Sequence, residues 1–294
     1  MNHTESAARR VMRGLPGAFC LLLIATSSCT RSSQSGQAIQ PDATNDTRTP
    51  STVVDAIYPS GDVVPENQLR MYLHFSAPMG QQGGLDHITF VDDGGREVPH
   101  VIVPLDTELW NGERTRYTVI LDPGRVKREI LPNRQLGRAL HAGDGITIVV
   151  KQDWPDAHGI RLATEFRHRY RVGPSDEKAL STAQWHVTAP AAGSRDPLTV
   201  IFPKPLDYGL LLRSLAVVRG TVQAQGDTRV SDAETRWEFV PRSEWQRGLY
   251  VLTVQPILED LAGNRIGRAF EVKSPGDAVP AESGVPVSVP FIVR

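Results

Sequence analysis

From about residue 55 onward, apolar residues recur at every second position, the spacing of half-buried β-strands. In the run LRMYLHF, Leu69, Met71, Leu73 and Phe75 fall on one face and Arg70, Tyr72 and His74 on the other. TRYTVIL alternates through Tyr117, Val119 and Leu121, and GITIVV through Ile146, Ile148 and Val150. Between the runs stand DDGG at 92–95, DPG at 122–124 and DAHG at 156–159, where Asp bonds its own backbone and Gly takes a positive φ. No helical period is sustained, so the pattern predicts an all-β fold of antiparallel sandwiches.

The pattern also repeats. LRMYLHFSAPM answers to DPLTVIFPKPL, with Phe75 matched by Phe202, 127 residues on. Thr115-Arg116-Tyr117 answers to Thr235-Arg236-Trp237 at a step of 120. Ile146, Ile148 and Val150 match Tyr250, Leu252 and Val254, and Asp156, Gly159 and Arg161 match Asp260, Gly263 and Arg265, all at a step of 104. Phe166 and Phe270 keep that step into an expected last strand. Two tandem copies follow, at 55–173 and 182–273, joined by a linker at 174–181. The turn LEDLAGNRIG could be taken for an acidic metal loop, but its counterpart PDAHGIRL keeps the Asp, Gly and Arg and replaces Glu259 by Pro155 and Asn264 by Ile160, losing the residues a cation would need, so it is expected to be a hairpin corner.

The Pro before VVPEN, the strand ending HFSAPM, and a closing Y-x-L-x-V strand followed by EDLAGN resemble the bacterial Ig-like domains of S-layer and other cell-surface proteins. The resemblance implies a seven-stranded sandwich of about a hundred residues. It also implies a spacer, scaffold or adhesion role without a catalytic site.

The N-terminal segment breaks the alternation. Arg9, Arg10 and Arg13 precede the apolar run GAFCLLLIATSSC, the layout of a secretory signal peptide at 1–28. TSSC resembles a lipobox, which would make Cys29 the lipid-bearing residue, although Thr26 stands where the pattern prefers Leu. Residues 29–54 contain too little apolar surface to offset ordering entropy and are expected to be a tether, spanning ~27 Å end to end. The 2 cysteines are Cys20 and Cys29, so downstream of the leader there is no disulfide framework, Cys-ligated metal or Cys nucleophile. Lys and Arg number 32 against 33 Asp and Glu, a net charge of −1, which argues against a nucleic-acid partner.

Candidate chemistry concentrates in one place. The drop in repeat step between Tyr117 and Ile146 exposes an insertion of about 16 residues in the first copy, carrying Arg125, Lys127, Arg128, Arg134 and Arg138. Basic residues bunched in a loop on a rigid sandwich suit a phosphate, a carboxylate-bearing glycan or an anionic headgroup. The plainer alternative is a solvated loop whose arginines pair with nearby acids. Arg167, Arg169 and Arg171 alternate on one strand face, read as a solvated edge. Acidic turns, scattered histidines and five tryptophans match no metal, zinc-protease, nucleophile-elbow or phosphate-loop pattern, and the tryptophans are expected to be core anchors. Residues 274–294 form a Pro-rich tail or an added strand. The sum predicts a non-catalytic lipoprotein without a cofactor, held at a membrane (the outer one expected) by Cys29, with an envelope protein or anionic glycan as partner. The alternative is a sandwich-scaffold hydrolase or enzyme accessory acting on polysaccharide.

Overall fold

The alternating runs form fifteen strands in a computed structural model that describes residues 51–81, 83–122, 137–270 and 284–294. Cys29, the leader, most of the tether, Arg125, Lys127, Arg128 and Arg134 lie outside the described residues. The first sandwich packs a three-stranded sheet against a four-stranded one. The smaller sheet has the order β1 (Val54–Tyr58), β3 (Arg70–Phe75), β5 (Arg116–Ile120). The larger has the order β2 (Val63–Pro65), β7 (Phe166–Gly173), β6 (Gly145–Val150), β4 (Ile88–Asp92), with β2 parallel to β7 and the rest antiparallel. Met71, Leu73 and Phe75 meet Tyr117, Val119, Ile146 and Ile148 in its core, as the alternation predicts.

The second sandwich pairs two four-stranded sheets. One runs β12 (Gly226–Ser231), β13 (Arg236–Pro241), β9 (Leu198–Ile201), β8 (His186–Thr188). The other runs β11 (Val222–Gln223), β10 (Leu215–Arg219), β14 (Gly248–Val254), β15 (Val287–Val293). Strand β15 comes from the tail, so the second sandwich draws on residues well beyond 273. Its Val287, Val289, Phe291 and Val293 alternate inward and close the core from the far side of β14, Tyr250 facing Phe291 across the ladder. Phe270 therefore does not open the last strand as Phe166 does in the first copy. Trp154 and Trp237 are fully buried and Trp185 and Trp245 nearly so, as core anchors.

The repeat is visible in the hydrogen bonding. Met79 N–H donates to the Arg114 carbonyl and Leu206 N–H to that of Glu234; Phe75 N–H donates to Thr115 and Phe202 N–H to Thr235. The two corners match as well. The Asp156 carboxylate accepts from His158 and Ile160 N–H, and the Asp260 carboxylate from Ala262 and Asn264 N–H. Gly159 and Gly263 follow with φ of 76° and 82°. The stretch LEDLAGNRIG is thus a hairpin corner, with Asp as the local acceptor and Gly in the left-handed region.

Asp156 also accepts from the Thr52 hydroxyl at 2.9 Å, which fixes the end of the tether to the first corner. Burial works to raise its pKa, but the bonds from Ile160, His158 and Thr52 outweigh burial and hold the carboxyl below the ordinary Asp range. A carboxyl depressed in the fold stabilises at pH above the unfolded Asp value, about 4, and that contribution is lost as pH falls through the lower folded value. Asp156→Asn should cost on the order of 1 kcal/mol at neutral pH and flatten the acid limb of the stability profile. Urea denaturation across a pH series checks both; a variant with the acid slope of the wild type would sink the assignment.

Candidate functional site

Of the basic residues in the insertion, Arg138 is described, and it is not a free anion-binding group. Its Nη1 donates to Glu66 Oε1 at 2.8 Å and to Ser175 Oγ at 2.6 Å, while Glu66 Oε2 accepts from Ala142 N–H. Arg138 ties the end of the insertion to the residue after β2 and to the linker, a structural role for a largely buried guanidinium. On β7, Arg167 pairs with Glu165, and Arg169 pairs bidentately with Asp93. Both pairs are exposed, the solvated face that the alternation suggested.

The chemistry gathers instead where the two sandwiches meet. The far face of β3, predicted to look into solvent, is covered: Tyr72 is only 6% exposed. Arg70 Nη1 donates to Asp207 Oδ2 at 2.7 Å, and its Nη2 pairs with Glu259. Tyr72 Oη donates to Asp207 Oδ1 at 2.6 Å. That same oxygen accepts from Leu210 N–H and so caps the short helix α1 (Tyr208–Leu211). Arg265 closes the chain of charges on Glu259 Oε1. Burial alone would lower the Arg70 pKa, but Asp207 and Glu259 more than reverse this, so the guanidinium stays charged. Burial first, then Asp207, raises the Tyr72 pKa and keeps its hydroxyl a donor. Gly209 sits flat on that ring; a Cβ there would lie 2.7 Å from Tyr72.

Further contacts tighten the junction. Tyr58 and Tyr208 stack at 3.5 Å between centroids. Ser60 donates from N–H and Oγ to Glu234, whose pKa rises because burial outweighs those two bonds. Residues Asp232, Ala233 and Glu234 all take left-handed φ, so Glu234 is presented from a tight left-handed turn. Leu69 N–H donates to the Leu261 carbonyl. The linker is pinned between both sides: Asn67 and Asn264 both donate to the Asp176 carbonyl, and Lys204 bridges Asp176 and Asp260. Burial pushes the Asp260 pKa up despite Lys204 and Asn264, the opposite of its counterpart Asp156.

These junction residues escaped the pattern of apolar positions, yet the repeat marks them. Asp207, Glu234, Glu259 and Asn264 stand where the first copy has Gly80, Arg114, Pro155 and Ile160. The divergent positions of the second copy are the ones turned toward the first.

Two hollows flank the junction. On the linker side a groove of about 1100 Å³ is lined by Glu66, Asp176, Lys204 and Asp260, which bond one another or Arg138. A second hollow, a cleft of about 470 Å³, opens between β3, β5 and α1. It holds Arg70, Arg116, Arg213 and Arg265 against Glu108 and Glu259. Glu108 accepts from Gly84 N–H at 2.6 Å and Trp110 Nε1 at 2.9 Å. Arg116 lies over the Tyr72 ring at 5.6 Å, and its Nε is buried without a hydrogen-bond partner among the described residues. Beside it His74 is held neutral, burial and then Arg116 both lowering its pKa.

The twin corners give a controlled test of the junction. Gly159→Ala adds only left-handed strain, about 1–2 kcal/mol, because a Cβ there meets nothing within 4 Å. Gly263→Ala carries the same strain and drives the Cβ into Leu69 of the first sandwich, which should cost about 1–3 kcal/mol more. Equal losses in parallel urea titrations would refute the packing of Leu69 on Gly263.

No family model matches the chain, and no curated protein matches it. Solved structures that it resembles include native alpha-2-macroglobulin from Escherichia coli over domains MG0-NIE-MG1, at 8% identity and TM-score 0.27, covering 83% of this chain and 72% of that one. Another is SGBP-B of the Bacteroides ovatus mixed-linkage glucan utilization locus, in complex with a mixed-linkage heptasaccharide, at 14% identity and TM-score 0.18 over 70% of this chain and 41% of that one. Murine CEACAM1b aligns at 13% identity and TM-score 0.17 over 66% and 87%. These likenesses carry no residue role and do not reach the narrower S-layer-type family that the sequence motifs resemble. On its own strand pairings the chain is an all-β protein of two β-sandwiches with Ig-like strand order.

Proposed function

We propose that this chain is a non-catalytic lipoprotein of the cell envelope. In this reading Cys29 carries the lipid, the outer membrane holds it, and the two Ig-like sandwiches form a binding or scaffold module that moves as one body facing the periplasm or the cell surface. The observation that carries the single-body module is the polar interlock of Arg70, Tyr72, Asp207 and Glu259, reinforced by a linker bonded to both sides, while the lipid anchor rests on the TSSC motif at Cys29. Flexible tandem domains leave such interfaces open to water; here charged partners are buried and satisfied, which fixes one relative orientation. The carboxylates of the cleft support a structural rather than catalytic role, because Glu108 and Glu259 accept from backbone, indole and guanidinium donors.

Replacing Cys29 by Ser should move the protein from the membrane pellet to the soluble fraction on fractionation, and unchanged retention would refute the lipid anchor. NMR relaxation of the full chain should give both sandwiches one rotational correlation time. Two separate times would remove the single-body module.

A further inference from the structure

We propose that the junction cleft binds a carboxylate-bearing sugar of an acidic polysaccharide, with Arg116 and Arg213 as the groups that recognise the carboxylate. The inference rests on the reading of the chain as a binding module, and names its site and ligand class. Four guanidinium groups line the cleft and two carboxylates oppose them, leaving an excess of positive charge. The opposing acids are not distributed evenly: Glu259 pairs with Arg70 and Arg265, and Glu108 is held by Gly84 and Trp110. Arg116 and Arg213 make no ion pair among the described residues. Arg116 lines the cleft with its guanidinium over the Tyr72 ring, 5.6 Å from the centroid, so its position is fixed by packing and its charge is left for a ligand. A planar carboxylate offers two acceptor oxygens to a guanidinium fork.

The rest of the lining narrows the ligand. Glu108 and Glu259 in the same walls repel a second negative charge, which disfavours a phosphate dianion and tolerates a monoanion. Their carboxylate oxygens can accept from sugar hydroxyls at the mouth, and Leu109 and Ile257, both substantially exposed, offer apolar surface to the C–H face of a pyranose ring. At about 470 Å³ the cleft is within the ~300–1,000 Å³ range of small-ligand sites. Arg116 comes from β5 of the first sandwich and Arg213 follows α1 of the second, so the site exists only when the two are docked.

Isothermal titration of the full chain with short oligogalacturonates, their methyl esters and inorganic phosphate tests this. The acid form should bind, with an affinity that falls as salt rises, and the ester and phosphate should bind at least tenfold more weakly. Arg116→Gln and Arg213→Gln should each weaken binding about tenfold or more. Because Arg116 packs on Tyr72, the exposed Arg213 keeps the test valid if Arg116→Gln does not fold. Arg138→Gln, outside the cleft, should leave the affinity unchanged. Absence of binding by the acid form, equal binding of ester or phosphate, or wild-type affinity in Arg213→Gln would overturn the proposal. So would loss of binding in Arg138→Gln alone, which would return the site to the insertion. None of these outcomes bears on membrane retention through Cys29, so the two readings fail separately.

Discussion

Among the contacts that join the two sandwiches, the guanidinium of Arg70 is the one that meets two acids at once. It leaves β3 of one sandwich and meets Asp207 and Glu259 of the other, and each of those acids has a second duty. Asp207 caps α1 and takes the Tyr72 hydroxyl; Glu259 takes Arg265. Removing the charge would leave two carboxylates facing each other in a half-dry interface. Burying ions gains little net stability, since desolvation offsets most of the Coulombic attraction. What the network supplies is geometry: an apolar interface would tolerate sliding, whereas bidentate charge pairing and a capped helix admit one register.

The linker follows the same logic. Its Asp176 carbonyl accepts from asparagines on both sides, Asn67 and Asn264, and its carboxylate meets Lys204. A connection of eight residues in free solution would permit wide relative motion of two domains. Here its backbone polar groups are partnered by the bodies it joins, so it acts as a third component of the interface. Arg138 extends this to the base of the insertion through Glu66 and Ser175.

Period-two alternation, carried over to β14 by the repeat, marks the core-facing residues of β3, β5, β6 and β14, because a sheet with one buried face writes that face into every second residue. The corners at Asp156 and Asp260 were legible for a local reason: Asx bonding and positive φ need only residues close in sequence. Tyr72 was not legible. It alternates onto the outward face of β3, and nothing within the strand says that a second body lies there. Arg138 was misplaced because a charge count along a loop does not show that Glu66, 72 residues earlier, stands opposite it. Phe270 misled because the step of 104 continues to that residue and then ends, while the strand that replaces β7 arrives from the tail. The junction was marked by differences between the copies, at Gly80/Asp207, Arg114/Glu234 and Ile160/Asn264, once those differences are taken as a surface and not as decay of a repeat.

The position of β15 sets an order of assembly. Among the described residues, the first sandwich has all its strands once Gly173 has emerged, and its core draws on none later in the chain. The second keeps one flank of β14 unpaired, with Tyr250, Leu252 and Val254 uncovered on that side, until Val287–Val293 arrives. A chain delivered N-terminus first would therefore present a finished partner to an unfinished one. The Arg70 and Tyr72 face would already be in place as a template when α1 and the Glu259 corner form, so docking could guide closure of the second sandwich instead of following it.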